Sequence, residues 1–277
     1  MLRIESPHGR LYKTEDGLIL PSVTTVVKAT AKKPFSREVW AKKLTTKGLS
    51  EHEASIFTEF FIERGYAVAA AFRAVEQFIG NPMTREQADC YMDWKSPHSS
   101  RRGTRLHEFL EKILPVDTIL DWKKCPECDL EETQLLVNSL WEGEILQQIK
   151  RVHSLEQRLW WYCDGIGYAG TEDINFDTWD NCKLSGDWKS KDPKHYCPTN
   201  YSHENKIQLI AYAGARFARE GRRMDGLNIN YCFSSGIPGV QTIVTEEELS
   251  PLWNEWIVRL KAWWGTIGKN ALTERNA

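Results

Sequence analysis

Two short stretches decide the fold: Tyr168-Ala-Gly-Thr-Glu-Asp-Ile-Asn-Phe176 and Cys182-Lys-Leu-Ser-Gly-Asp-Trp-Lys189. Both mix aromatic and aliphatic residues with small ones, and the polar run Asp177 to Asn181 between them is turn-prone. With Ser154-Leu-Glu-Gln-Arg-Leu-Trp-Trp-Tyr-Cys163 and the Asp164-Gly165 turn before them, they predict three consecutive antiparallel strands. Side chains alternate along an extended backbone, so Asp187 and Lys189 share a face, and the meander can set Asp173 beside Asp187.

Working outward, Asn200 to Glu220 predicts a helix with Gln208 and Tyr212 at i and i+4, on one side. Strands are expected at Leu227 to Ser234 and Gly239 to Val244, then a helix from Ser250 to about Gly265. At the other end a short hairpin, Leu2 to Leu20, leads into a helix capped by Ser22. Helices dominate Phe35 to Lys150, with breaks expected near Gly48, Gly80-Asn81-Pro82, Pro97 and Cys125-Pro126. One of them opens near Gly103 and holds His107 a turn inside. The expected fold class is α/β (α+β), a central mixed sheet flanked by helices with a large N-terminal helical region. The expected division is 1–150 for the hairpin and helical region, including the His107 helix, 151–268 for the core, and a disordered tail at 269–277.

The tripeptide Asp-Trp-Lys occurs at Asp93, Asp121 and Asp187, and only its setting separates the copies. Asp93 ends a predicted helix that runs into Ser96-Pro97, and Asp121 lies between a helix and Cys125-Pro126 without a strand on either side. At Asp187 a neighbouring strand supplies a second carboxylate. Two carboxylates from adjacent strands make a hard oxygen site suited to Mg2+ or Mn2+. Lys189 could orient or activate a water there and neutralise charge on a phosphate, which together is the chemistry of phosphodiester hydrolysis.

The ordered set His107, Gly170-x-x-Asp173, Asp187-x-Lys189 and Gln208-x-x-x-Tyr212 resembles the RecB-like branch of the PD-(D/E)XK nuclease superfamily. Pro21-Ser-Val-Thr-Thr-Val-Val27 is similar to a segment in single-chain exonucleases of that branch, of phage and mitochondrial genome-maintenance type. The resemblance implies a restriction-endonuclease-like core and a metal-dependent deoxyribonuclease using one or two Mg2+ or Mn2+ ions. Asp173, Asp187, His107 and the Trp188 carbonyl are then expected as metal ligands, Lys189 as the catalytic lysine, and Glu156 as an additional acid serving a second metal or supporting the first. Gln208 and Tyr212 are expected to position substrate, with Ser22, Arg101, Arg102, Arg105 and Lys191 as further substrate contacts. The implied activity is a DNA exonuclease preferring single strands or free ends, in replication, recombination or repair, alongside a single-strand-binding or recombination partner. A duplex exonuclease or structure-selective endonuclease of the same fold is the alternative within the class. A nucleic-acid-binding protein that has lost catalysis is the alternative outside it.

Composition sets bounds. A chain of 277 residues can bury a substantial core without disulfides, and its seven cysteines, an odd number, fit reduced thiols. Cys125-Pro-Glu-Cys128 is a lone CxxC that would need two distant ligands to hold zinc, and only Cys232 follows Tyr212, so no iron-sulfur cluster is expected. No apolar run has the length of a membrane span and the N-terminus lacks a signal-peptide core, so a cytoplasmic protein with no membrane partner is expected. The net charge of -2 is unlike that of many DNA binders, but basic residues cluster from Lys28 through Lys32, Lys33, Arg37, Lys42 and Lys43 to Lys47, at Arg101 to Arg105, and at Lys189, Lys191 and Lys194. Most of the twelve tryptophans are expected in the core, although rings of this kind also serve as stacking surfaces for single-stranded bases.

Overall fold

The structure, a computed structural model, describes residues 1–7, 9–31, 36–191, 198–221 and 223–268. Lys32, Lys33, Lys194 and the tail after Gly268 lie outside the described residues. The chain forms two compact units, a larger one of Met1–Pro34 with Arg105–Ala277 and a smaller one of Phe35–Thr104.

In the larger unit the N-terminal hairpin gains a third strand: β1 (Leu2–Ser6), β2 (Gly9–Lys13) and β3 (Ile19–Pro21) form an antiparallel sheet. Ser22 then caps α1 (Val23–Thr30), its side chain accepting from the Thr25 amide as the sequence predicts. The main sheet has the order β4-β5-β6-β7-β8, with β4 (Ile149–Cys163), β5 (Ile166–Thr178) and β6 (Lys183–Lys191) the expected antiparallel meander. Asp164 and Gly165 form the turn between β4 and β5 at φ of 51° and 81°, the left-handed pair that a two-residue hairpin requires. Helix α7 (Pro198–Glu220) crosses over to β7 (Gly226–Phe233), which runs parallel to β6, as parallel neighbours demand. Strand β8 (Val240–Val244) closes the sheet antiparallel to β7. The sheet is therefore mixed and helix-flanked, as expected.

Each face carries a core. On one, Val23, Val26, Leu159, Tyr168, Leu209, Tyr212 and Trp256 pack together; on the other, Leu106, Leu110, Leu136, Leu140, Ile174, Phe176 and Trp188 do. The second face is covered by the C-terminal part of α5 (Arg85–Ile113) and by α6 (Glu131–Glu142). Helix α8 (Glu246–Trp263) begins four residues before the expected Ser250, because Thr245 and Glu248 form a capping box and three glutamates favour its positive end.

The smaller unit is helical, with α2 (Arg37–Lys47), α3 (Glu51–Ile62), α4 (Val68–Glu76) and the first part of α5 around Leu44, Phe57, Phe60, Tyr91 and Trp94. The expected break at Gly48 is present: φ is +65°, and a Cβ there would fall 2.0 Å from the Asn81 carbonyl oxygen. The expected break at Pro97 and the fresh start near Gly103 are not. Helix α5 runs through both as one 29-residue helix. Trp94, one residue past the predicted end, stacks on the buried His98 at 4.6 Å and donates to Glu63 at 2.9 Å, while Phe57 and Phe60 pack against its ring. Those contacts on both sides of Pro97 offset the helix-breaking cost of about 3 kcal/mol. Among the described residues no helix is long and apolar enough to cross a membrane. Pro97→Ala should restore the missing backbone donor and raise unfolding stability by up to about 3 kcal/mol, read from urea denaturation; a lower stability would contradict this account of α5.

Candidate active site

Along β5 the alternation of faces breaks at one place. Tyr168, Gly170 and Glu172 point toward α7: Tyr168 donates to the Ala211 carbonyl at 2.8 Å, and a Cβ on Gly170 would fall 2.5 Å from the Tyr212 ring. Glu172 pairs with Arg216 of α7. Beyond the break Ile174 and Phe176 belong to the opposite core, whereas Asn175 reaches Met224 on the α7 side. Asp173 and Ile174 are thus successive residues turned toward α5. Strand β4 mirrors them. Ser154 and Gln157 bond to Arg216, while Leu155 packs in the α5–α6 core and Glu156 reaches His107. Glu156 has φ of +44°, a left-handed conformation costly for a residue with a Cβ. The pairs Leu155↔Ile174 and Gln157↔Glu172 hold register around it.

The partner strand opens at the same point. Pairing of β5 with β6 runs from Asp177↔Lys183 to Ile174↔Gly186 and goes no further, whereas β6 stays paired to β7 as far as Lys191↔Phe233. In place of the next ladder bond the Trp188 amide donates to the Asp173 carboxylate at 2.8 Å. Asp173 and Asp187 thus lie where the two strands part, both buried.

Around them the other predicted residues assemble. His107 Nδ1 lies 2.6 Å from Glu156 and its Nε2 3.8 Å from Asp173, and one ligand-capable atom from each of these three side chains lies within 4.8 Å of the other two. That cluster has the donor set of a divalent-cation site. Asp187 is not part of it. Its Oδ1 accepts from Lys189 at 2.7 Å and from Gln208 at 3.3 Å. Its Oδ2 lies 2.5 Å from the same ammonium as an ion-pair contact, yet is buried and receives no well-angled hydrogen bond. Gln208 also donates to the Tyr212 hydroxyl at 3.1 Å, so the i, i+4 pair acts as one unit, as its spacing predicts.

The electrostatics follow from burial and crowding. Burial first, then the Asp187 charge, raises the Asp173 carboxyl to about 7. Burial alone would lower the His107 imidazole, but the Glu156 hydrogen bond and the Asp173 charge outweigh it and lift it to about 9. Lys189 is likewise raised, because Asp187 and Asp173 overcome its desolvation. Tyr212 is pushed well up by burial and both aspartates and keeps its proton.

Beneath these groups lies a set that sequence reasoning did not single out. Arg216 is buried and binds Ser154 and Gln157 of β4 at 3.0 and 2.6 Å, the Glu172 carboxylate of β5, and Glu220 of its own helix at 2.6 Å. Ser185 of β6 completes the Glu172 carboxylate at 2.6 Å. The signal was present: Gln208, Tyr212 and Arg216 repeat at i, i+4 and i+8 on one stripe of α7, and an acid at 172 interrupts a buried strand.

The remaining expected contacts are more scattered. The Ser22 hydroxyl is buried at the α1 cap, beside a bridge from Ser22 to Ala169. Arg105 lies 3.5 Å from Glu132, and Lys191 ends β6. Arg101 and Arg102 belong to the smaller unit, where Arg101 pairs with Glu63 at 3.3 Å. Asp93 and Asp121 pair with Arg37 and Lys123 on exposed surfaces, apart from any such cluster.

No protein-family profile and no curated protein matches the sequence. Among solved structures, a crystal structure from Eubacterium rectale of a protein provisionally named an exonuclease aligns with a TM-score of 0.38 and 10% identity, covering 82% of this chain and 83% of that one.

Arg216→Met would strand the Glu172 carboxylate in the sheet and should cost about 3–5 kcal/mol of stability. Adding Glu172→Gln should return part of it, and a double variant no more stable than the single one would show that the pair does not couple.

Proposed function

We propose that the protein is a Mg2+- or Mn2+-dependent DNA exonuclease of the RecB-like branch of the PD-(D/E)XK superfamily, hydrolysing phosphodiester bonds at the point where β5 and β6 part. The observation that carries this reading is the convergence there of Asp173, Asp187 and Lys189 with a His107–Glu156 pair from α5 and β4. The residues fit a hard divalent cation. Asp187 has a buried oxygen short of hydrogen bonds, and the Asp173, Glu156 and His107 donors converge within 4.8 Å.

Asp173, Asp187, His107 and the Trp188 carbonyl would hold the ion. Glu156, by accepting from Nδ1, fixes the imidazole so that Nε2 faces Asp173, the arrangement that ligating histidines use. When bound, the cation supplies Lewis acidity to the phosphoryl oxygens and acidifies the attacking water.

The chain's own groups do the rest. Lys189 keeps its proton, so its ammonium lies ready to neutralise charge developing on the phosphate and to orient a water on Asp187. Gln208 donates to Asp187 and Tyr212, and its exchange of these bonds for substrate oxygens would place the scissile group. A preference for single strands or free ends is part of this reading, and so is a role in DNA replication, recombination or repair.

With end-labelled oligonucleotides and Mg2+ or Mn2+, Lys189→Ala and Asp187→Asn should each lower cleavage by at least about 100-fold. Asp93→Asn and Asp121→Asn, the other two copies of the tripeptide, should cut at the wild-type rate. Undiminished cleavage by Lys189→Ala would remove the site from the mechanism. Metal binding must also displace the protons that burial and Glu156 hold on Asp173 and His107, so Mn2+ affinity measured calorimetrically without DNA should rise from pH 6 to about 9 and then level. Affinity that is flat or falls over that range would mean that these two groups are not ligands.

A further inference from the structure

Strand β4 does not end its work at Glu156. Side chains repeat their face every second residue, so Arg158, Trp160 and Tyr162 continue the Glu156 face for about 20 Å. The alternate residues are committed elsewhere: Leu159 is buried in the core, and Trp161 stacks on Tyr168 with ring centroids 5.6 Å apart. Strand β4 is the edge of the five-stranded sheet, and Trp160 and Tyr162 remain 38% and 44% exposed on it. With Arg158, Trp161 and Arg219 of α7, and with Met1, Glu15 and Asp16, they line an open groove of about 670 Å³. The Arg158 guanidinium is anchored to the Met1 carbonyl at 2.8 Å, which holds a cation beside the rings.

We infer that this row is a stacking track for single-stranded DNA that leads a strand along the β4 edge to Asp173. The inference rests on the reading of the site as a deoxyribonuclease and specifies how it engages its substrate. Two neighbouring rings with guanidinium groups beside them match a chain of free base faces joined by phosphates, since each base offers a π-face and each phosphate a charge. A duplex keeps those faces stacked inside and has nothing to lay on Trp160. The order along the strand, from Glu156 to one cation to two rings, places the rings beside the site rather than on the scissile bond.

The test is binding of fluorescent oligo(dT) in EDTA, where no cleavage can occur, followed by anisotropy beside a blunt duplex of the same length. Trp160→Ala combined with Tyr162→Ala should weaken oligo(dT) binding at least about tenfold and leave duplex binding as it was. Trp160→Phe, which keeps a ring, should bind oligo(dT) nearly as the wild type does. The track is overturned if the double variant binds oligo(dT) like the wild type, if duplex binding falls as far, or if Trp160→Phe loses as much as Trp160→Ala. A peptide-binding edge would give the first of these outcomes. Failure of the track and of the nuclease reading are separable: DNA cleaved by a protein whose double variant binds normally removes only the track, and single strands bound through Trp160 but never cut with Mg2+ or Mn2+ remove only the catalysis.

Discussion

The buried ion pair of Glu172 with Arg216 is the contact on which the site depends. A carboxylate inside a sheet is costly unless paired and hydrogen-bonded, and burial does push the Glu172 carboxyl up. Arg216 meets that cost by binding β5 through Glu172 and β4 through Ser154 and Gln157, while Ser185 ties β6 to the same carboxylate. Three strands and one helix are therefore fastened on the α7 side. The irregularity at Leu155–Glu156 and Asp173–Ile174 sits directly across from these bonds. With its flanks pinned, the backbone can hold Glu156 at a positive φ and turn two acids toward His107. Strain at a putting-together point of this kind persists only where neighbouring structure over-determines it.

The same geometry divides the labour between the two faces. From the α5 side come His107, Glu156 and Asp173, crowded enough that Asp173 and His107 hold protons more tightly than they would in water. From the α7 side come Asp187, Lys189, Gln208 and Tyr212, linked in one chain of hydrogen bonds. The gap between β5 and β6 joins the two sets, because Asp173 accepts from the Trp188 amide where the next ladder bond would be.

Much of this was legible in the sequence. The meander, the Asp164-Gly165 turn, the Ser22 cap and the i, i+4 pair Gln208–Tyr212 follow from local rules of alternation, turn conformation and helical spacing, and each is present. What stayed hidden depends on contacts distant in sequence. Strict alternation cannot foresee that Glu156 and Asp173 leave their faces together. The Pro97 break was expected from backbone chemistry, and aromatic packing around Trp94 and His98 overrides it. The partners of Arg216 on β4 and β5 lie 44 to 62 residues away in sequence, beyond the reach of local spacing rules.

The most direct test of the account is anomalous scattering from a crystal of the wild-type protein soaked in Mn2+ without DNA. The account predicts a manganese peak bounded by Asp173, Asp187 and His107 Nε2, with Glu156 still on His107 Nδ1. Manganese bound elsewhere, with the Asp187 carboxylate still closed by Lys189, would contradict it.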